Sequence, residues 1–176
     1  MKTSIALIGF MGTGKTAVGK ALAEKLGKKF VELDALIEQK AGKTIPEIFK
    51  QDGEIAFREL EIEVTKDVAR GKNQVIACGG GVVLNKINID RLRNESIIVY
   101  LTASPKVLLK RVSGGRIERP LLGVSNQALT IQELLAFRKP FYERAADIKV
   151  DTSKPDIDSV VKQIINKLKE DESFNF

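Results

Sequence analysis

The chain contains no histidine. Any general base must therefore be an aspartate, a glutamate or a lysine, and histidine-based catalytic triads are excluded. Cysteine occurs once, as Cys78, so no disulfide can close within the chain, and a reducing compartment is expected. No run approaches the ~20 apolar residues of a membrane span. The apolar stretch after Met1-Lys2 is cut by a glycine loop too early to act as a secretory signal, so the expected location is the cytoplasm, away from any membrane. Aromatic residues make up 6%, and no basic run is interleaved with them. The net charge of +6 therefore does not point to nucleic acid; small anionic ligands account for it as well. Internal repeats and low-complexity linkers are also missing. What remains is 176 residues, 43% hydrophobic and 30% charged, the composition of one soluble domain. At this length, folding buries roughly 70% of the unfolded chain's surface.

The most constrained stretch is Gly9-Phe10-Met11-Gly12-Thr13-Gly14-Lys15-Thr16, which reads G-x-x-x-x-G-K-T. The apolar run Ser4–Ile8 before it has the length of a buried strand. Val18, Ala21, Leu22 and Leu26 after it fall at helical spacing, and Gly27 stops the run. Strand, glycine loop and helix together form a phosphate-binding loop. Gly12 and Gly14 let the backbone wrap an anion, and successive N–H groups point inward at a positive helix end. Lys15 can reach the β and γ phosphates, and Thr16 offers a hydroxyl to Mg²⁺. The loop establishes nucleoside triphosphate binding and leaves the phosphate acceptor open.

Further strands are expected at Lys29–Leu33, Gln74–Cys78, Ser96–Leu101 and Ala146–Asp151. Helices are expected after Asp34, from Thr44, from Asp52 or Gly53 to about Ala69, over Ile87–Leu92, from Ser104-Pro105, over Thr130–Tyr142 with a break permitted at Pro140, and to about Leu168. Alternating strands and helices predict an α/β fold with a parallel sheet. In such sheets, ligands sit outside the carboxyl ends of the strands. Asp34 falls there; taken alone it reads more readily as a cap of the next helix, and the neighbouring loops favour the ligand-facing role. Gly79-Gly80-Gly81 ends the third strand, where a backbone must approach a ligand closely. Arg58 and Glu61, three apart on a helix, share a face; local sequence alone makes them a solvated surface pair. Cys78 is expected in the core. The arginine-dense, glycine-hinged segment from Arg111 to Gly123 suits a mobile lid over phosphates. Residues 169–176 look like a frayed tail.

Taken together, GFMGTGKT, LDALIE around Asp34, DGEIAFRELE around Arg58, GGG at 79–81, RPLL at 119–122 and FRKPFYERAA around Arg138 resemble the shikimate kinases over nearly the full length. The resemblance implies a three-layer α/β sandwich, with a five-stranded parallel sheet in nucleoside monophosphate kinase-like P-loop topology. It also implies a single domain over 1–176 with a lid at about 112–125, working as a monomer with ATP and Mg²⁺ in aromatic amino-acid biosynthesis. Gly12, Thr13, Gly14, Lys15, Thr16 and Ala17 would bind the ATP phosphates, and Arg111 and Pro155 would flank adenine. Asp34, as base, would work with Lys15 and Arg119 in catalysis, Arg119 reaching the transferring phosphate from the lid. Asp34, Arg58, Gly79, Gly80, Gly81 and Arg138 would hold shikimate, the two arginines on its carboxylate. Thr16 would ligate Mg²⁺. The family has Asp-x-Asp where this chain has Glu32-Leu33-Asp34, so Glu32 keeps the charge with one more methylene. Kinases of another small sugar acid such as gluconate share the loop and fold. A small GTPase would need Asn-Lys-x-Asp; the nearest stretch, Asn85-Lys86-Ile87-Asn88, lacks the Asp.

Overall fold

A computed structural model of the chain describes residues 1–113 and 127–176. Five strands, β1 (Ser4–Ile8), β2 (Lys29–Glu32), β3 (Gln74–Ala77), β4 (Ser96–Thr102) and β5 (Ile148–Asp151), form one sheet in the order β2-β3-β1-β4-β5. Every pairing is parallel; Leu7 of β1, for example, lies opposite Ala77 of β3 and Val99 of β4. Helices alternate with the strands: α1 (Lys15–Leu26), α2 (Leu33–Ala41), α3 (Ile45–Gln51), α4 (Gly53–Val68), α5 (Lys86–Glu95), α6 (Pro105–Ser113), α7 (Gln127–Ala145) and α8 (Ile157–Lys169).

The central strands read as continuous apolar runs because both sheet faces are covered. Successive β1 side chains point to opposite faces. Ile5 and Leu7 pack with Val18 and Leu22 of α1 and Val160, Ile164 and Leu168 of α8. Ala6 and Ile8 join the other layer, with Ile37, Ile48, Phe57, Leu92 and Tyr142. This gives the expected three-layer sandwich. β1 lies between β3 and β4, so the chain crosses from one half of the sheet to the other beside it. The crevice at such a switch opens at the carboxyl ends of the strands.

Local chemistry sets the boundaries. Thr44 caps α3 in a full capping box with Glu47, and α7 runs through Pro140 without a break. Leu33, expected at the end of β2, instead opens α2 with Glu32 at the N-cap position. Val112, expected in the lid, is still helical and buried in α6. The carboxyl-terminal segment also differs from the frayed tail expected for 169–176. Lys2 N–H donates to the Ser173 carbonyl at 2.7 Å, and Asn175 N–H donates to the Lys2 carbonyl at 2.8 Å. Phe174 is buried against the α1/α8 layer. A buried aromatic ring and two backbone bonds offset the ordering entropy that polar sequence alone suggests would win.

Cys78 is 3% exposed, and burial holds its thiol well above the ordinary range. We expect a thiol-specific alkylating agent to label it slowly in the native protein and rapidly in denaturant, measured by mass spectrometry. Rapid native labelling would contradict its core placement.

Candidate active site

The glycine loop leaves β1 and enters α1 directly. Gly12 and Gly14 hold φ of 83° and 89°, the left-handed region that only glycine occupies without strain. Lys15 Nζ donates to the Gly9 and Phe10 carbonyls at 2.8 and 3.0 Å, which folds its side chain back along the loop. Thr16 Oγ1 donates to Glu32 Oε1 at 2.5 Å. The Glu32 carboxylate thus lies directly on the threonine hydroxyl. Among the described residues no group of three or more Cys, Asp or Glu side chains could cage a metal. An adjacent hydroxyl and carboxylate fit Mg²⁺, which keeps waters and phosphate oxygens as its other ligands.

A second set of side chains gathers where β3 ends. A Cβ on Gly79 would lie 2.8 Å from Asp34 Oδ1 and 3.2 Å from Glu61 Oε2. One on Gly80 would lie 3.4 Å from Arg138 Nη1 and 3.7 Å from the Met11 amide nitrogen of the phosphate loop. One on Gly81 would overlap the Arg58 guanidinium, 2.5 Å from Nη2 and 2.7 Å from Cζ. None of the three glycines has a positive φ. Glycine is needed here for space, because two carboxylates and two guanidiniums press on the strand end. Gly81→Ala should therefore dislodge Arg58 while leaving the backbone unstrained. We expect a rise of about tenfold in the KM for the acceptor, an overpacking cost of ~1–3 kcal/mol, with the KM for ATP unchanged in steady-state assays. An unaltered acceptor KM would contradict the crowding.

Burial makes the set unusual. Glu61 is 1% and Arg138 3% exposed. Arg58 Nη1 donates to Glu61 Oε1 at 3.0 Å and Nη2 to Glu54 Oε1 at 3.4 Å. The surface pair expected at Arg58–Glu61 is thus an interior one, because the Gly79–Gly81 turn lies against that face of α4. Asp34 does not cap α2; Glu32 holds that position. Among the described residues, Asp34 Oδ1, Glu61 Oε2, Arg58 Nε and Arg138 Nε are all buried without a hydrogen-bond partner. Buried polar groups are normally satisfied, so four orphans around one glycine turn mark a place built for a polar ligand.

Burial pushes the Asp34 carboxyl above its ordinary range; Lys15 and Arg58 pull it down, and Glu32 and Glu38 push it further up. Burial also raises Glu61 against the pull of Arg58, and Asp34 adds to the rise. A carboxyl raised in the folded state favours the fold below its unfolded pKa, and that contribution is lost as pH rises through the folded value. Activity that needs ionised Asp34 runs the other way. We expect kcat/KM for the acceptor to fall on the acid side with a midpoint above ~3.9, the ordinary aspartate value. A rate that stays flat down to that pH would contradict the buried carboxylate.

Tyr142 was not singled out by the sequence, yet its hydroxyl donates to the Gly80 carbonyl, and its buried ring stacks on Tyr100 at 5.1 Å. The signal was available, since Tyr142 stands four residues after Arg138 on the same helix face. Arg111 donates to the Gly12 carbonyl at 3.1 Å and to the Thr152 carbonyl at 2.7 Å, which places it beside the turn containing Pro155. Arg119 and the RPLL segment lie outside the described residues.

A phosphate loop on the central strand of a parallel β2-β3-β1-β4-β5 sheet, with a cluster of buried charged side chains next to it, defines a P-loop kinase of the nucleoside monophosphate kinase-like fold. The family model described as shikimate kinase matches residues 11–169. The chain belongs to the shikimate kinase family. It is 44% identical to the shikimate kinase of Symbiobacterium thermophilum over 168 residues, covering 95% of this chain and 97% of that one. A solved shikimate kinase from Acinetobacter baumannii, in complex with shikimate, superposes with a TM-score of 0.92 at 35% identity, covering 98% and 96% of the two chains. A gluconokinase from Sinorhizobium meliloti shares the fold alone, at 20% identity and a TM-score of 0.60 over 96% and 92%.

Proposed function

We infer that the protein transfers the γ-phosphate of ATP to the 3-hydroxyl of shikimate, giving shikimate 3-phosphate and ADP. The observation that carries this is the convergence of Asp34, Glu61, Arg58 and Arg138 on the Gly79–Gly81 turn, with the phosphate loop alongside. Shikimate is a carboxylate bearing vicinal hydroxyls. Arg58 and Arg138 present fork-shaped donors to its carboxylate, each charged hydrogen bond worth about 1.5–3 kcal/mol. Asp34 accepts from a ring hydroxyl and orients it for attack or takes its proton. Glu61 and Tyr142 hold the clamp in shape: Glu61 braces Arg58, and Tyr142 fixes the Gly80 carbonyl.

The loop amides from Gly12 to Ala17 receive the phosphates, and Lys15 exchanges the Gly9 and Phe10 carbonyls for phosphate oxygens. Thr16 and Glu32 would hold Mg²⁺, which supplies charge neutralisation across the β and γ phosphates. Arg111 donates within its own plane to Gly12 and Thr152, so the guanidinium faces are what it offers to adenine, opposite Pro155. Arg119 is assigned to the transferring phosphate on its sequence position. Catalysis then rests on alignment and charge neutralisation rather than covalent chemistry with the protein.

A substrate panel tests this reading. Purified protein with ATP and Mg²⁺ should release ADP with shikimate and not with gluconate, and the product should be the 3-phosphate by NMR. Comparable turnover of gluconate, or phosphorylation at another hydroxyl, would contradict it.

A further inference from the structure

We propose that Thr152 is a positioning residue for nucleotide binding: its hydroxyl, with Arg111, sets the orientation of the phosphate-loop peptides from behind. Thr152 follows the carboxyl end of β5, at the far side of the sheet from Asp34, and is 4% exposed. Its Oγ1 lies 3.0 Å from both the Thr13 carbonyl of the phosphate loop and the Thr102 carbonyl at the end of β4. Arg111 Nη1 donates to that oxygen at 3.1 Å and also to the Gly12 carbonyl at 3.1 Å. Arg111 thereby occupies a lone pair of the hydroxyl, and the hydroxyl proton is left for the two carbonyls.

The consequence follows from peptide planarity. The peptide bonds of the phosphate loop are trans, so each N–H points opposite the C=O of the same unit. Holding the Thr13 carbonyl toward Thr152 turns the Gly14 N–H the other way. Holding the Gly12 carbonyl toward Arg111 does the same for Thr13 N–H, which reaches back to the Phe10 carbonyl at 3.3 Å. Gly14 precedes α1 in a left-handed conformation, so its N–H lies at the start of the helix, the end that favours an anion. Gly12 and Gly14 make the loop pliable. One buried hydroxyl, reached only across 139 residues of chain, removes that freedom where the anion sits. The same hydroxyl ties the loop to β4 and to α6.

The proposal rests on the reading of this loop as the ATP site, and its test is independent of the acceptor. ADP affinity is measured by titration calorimetry with Mg²⁺, and shikimate affinity separately, for Thr152→Val and Thr152→Ser. Val keeps the shape and removes the hydroxyl. We expect ADP binding to weaken about tenfold, the scale of leaving a buried carbonyl unsatisfied, with shikimate binding within about twofold, since Thr152 follows β5 at one edge of the sheet and Asp34 follows β2 at the other. Ser should restore ADP affinity. Thr152→Ala, which adds no bulk, carries the same expectation should Val not fold. A lowered Tm with ADP affinity unchanged would make Thr152 a β4–β5 clasp and overturn the proposal. So would equal loss for both ligands, or no rescue by Ser. If the protein did not phosphorylate shikimate at all, the ADP result would stand on its own.

Discussion

Asp34→Asn is expected to lower kcat by about 10²–10⁴-fold, the range of a positioned general base, while the KM for ATP stays near wild type. The amide keeps the shape of the carboxylate and one acceptor oxygen, so shikimate should still bind. What is lost is the group that takes or directs the hydroxyl proton. The substitution also removes an ionisable group that burial disfavours in its charged form, with Oδ1 lacking a hydrogen-bond partner among the described residues. Stability should therefore rise relative to wild type as pH climbs above the ordinary carboxylate range, where the raised carboxyl costs the fold, and should change little at acid pH, where the group is protonated in both states. Lower turnover with an equal or higher Tm is the signature expected of a functional carboxylate, and steady-state kinetics with thermal denaturation check it. Near-normal turnover would remove Asp34 from the chemistry.

Arg58→Ala is expected to act on binding and on stability together. Truncating one partner of a buried charged pair costs about 2–5 kcal/mol, which corresponds to a rise of roughly 30-fold or more in the KM for shikimate. The KM for ATP should be little changed. The variant also leaves Glu61 as an uncompensated carboxyl at 1% exposure. Arg58 is the strongest influence lowering the Glu61 carboxyl, so without it that carboxyl rises further and the loss of stability grows with pH. The double variant Arg58→Ala/Glu61→Gln separates the two effects. Removing the stranded charge should recover most of the Tm and none of the shikimate affinity. Recovery of affinity in the double variant would mean that Glu61, rather than Arg58, governs the site.

The sheet and its helices were legible because their physics is local. Buried parallel strands such as Ser4–Ile8 and Gln74–Ala77 stand out as apolar runs, and Thr44 with Glu47 announces a helix start. The phosphate loop was legible for the same reason, since its pattern and both flanks are contiguous. The charged cluster at Gly79–Gly81 was legible only in part. Spacing puts Arg58 and Glu61 on one helix face, but nothing nearby tells which layer covers it, and the covering turn lies at Gly79–Gly81. Its glycines pointed to a close approach and not to the groups making it, which are side chains of α2, α4 and α7. Leu33 was placed in a strand because an apolar residue after Glu32 suits either a strand end or a helix start. The tail at 171–175 escaped for the opposite reason: its anchor is Lys2, at the other end of the chain.

The central claim is that the groups around Gly79–Gly81 hold the acid whose hydroxyl meets the phosphate. A crystal structure of the protein with ADP, Mg²⁺ and shikimate tests it most directly. The account predicts the shikimate carboxylate between Arg58 and Arg138, with a ring hydroxyl on Asp34 facing the phosphate loop. Shikimate bound elsewhere, with those three side chains turned away from it, would contradict it.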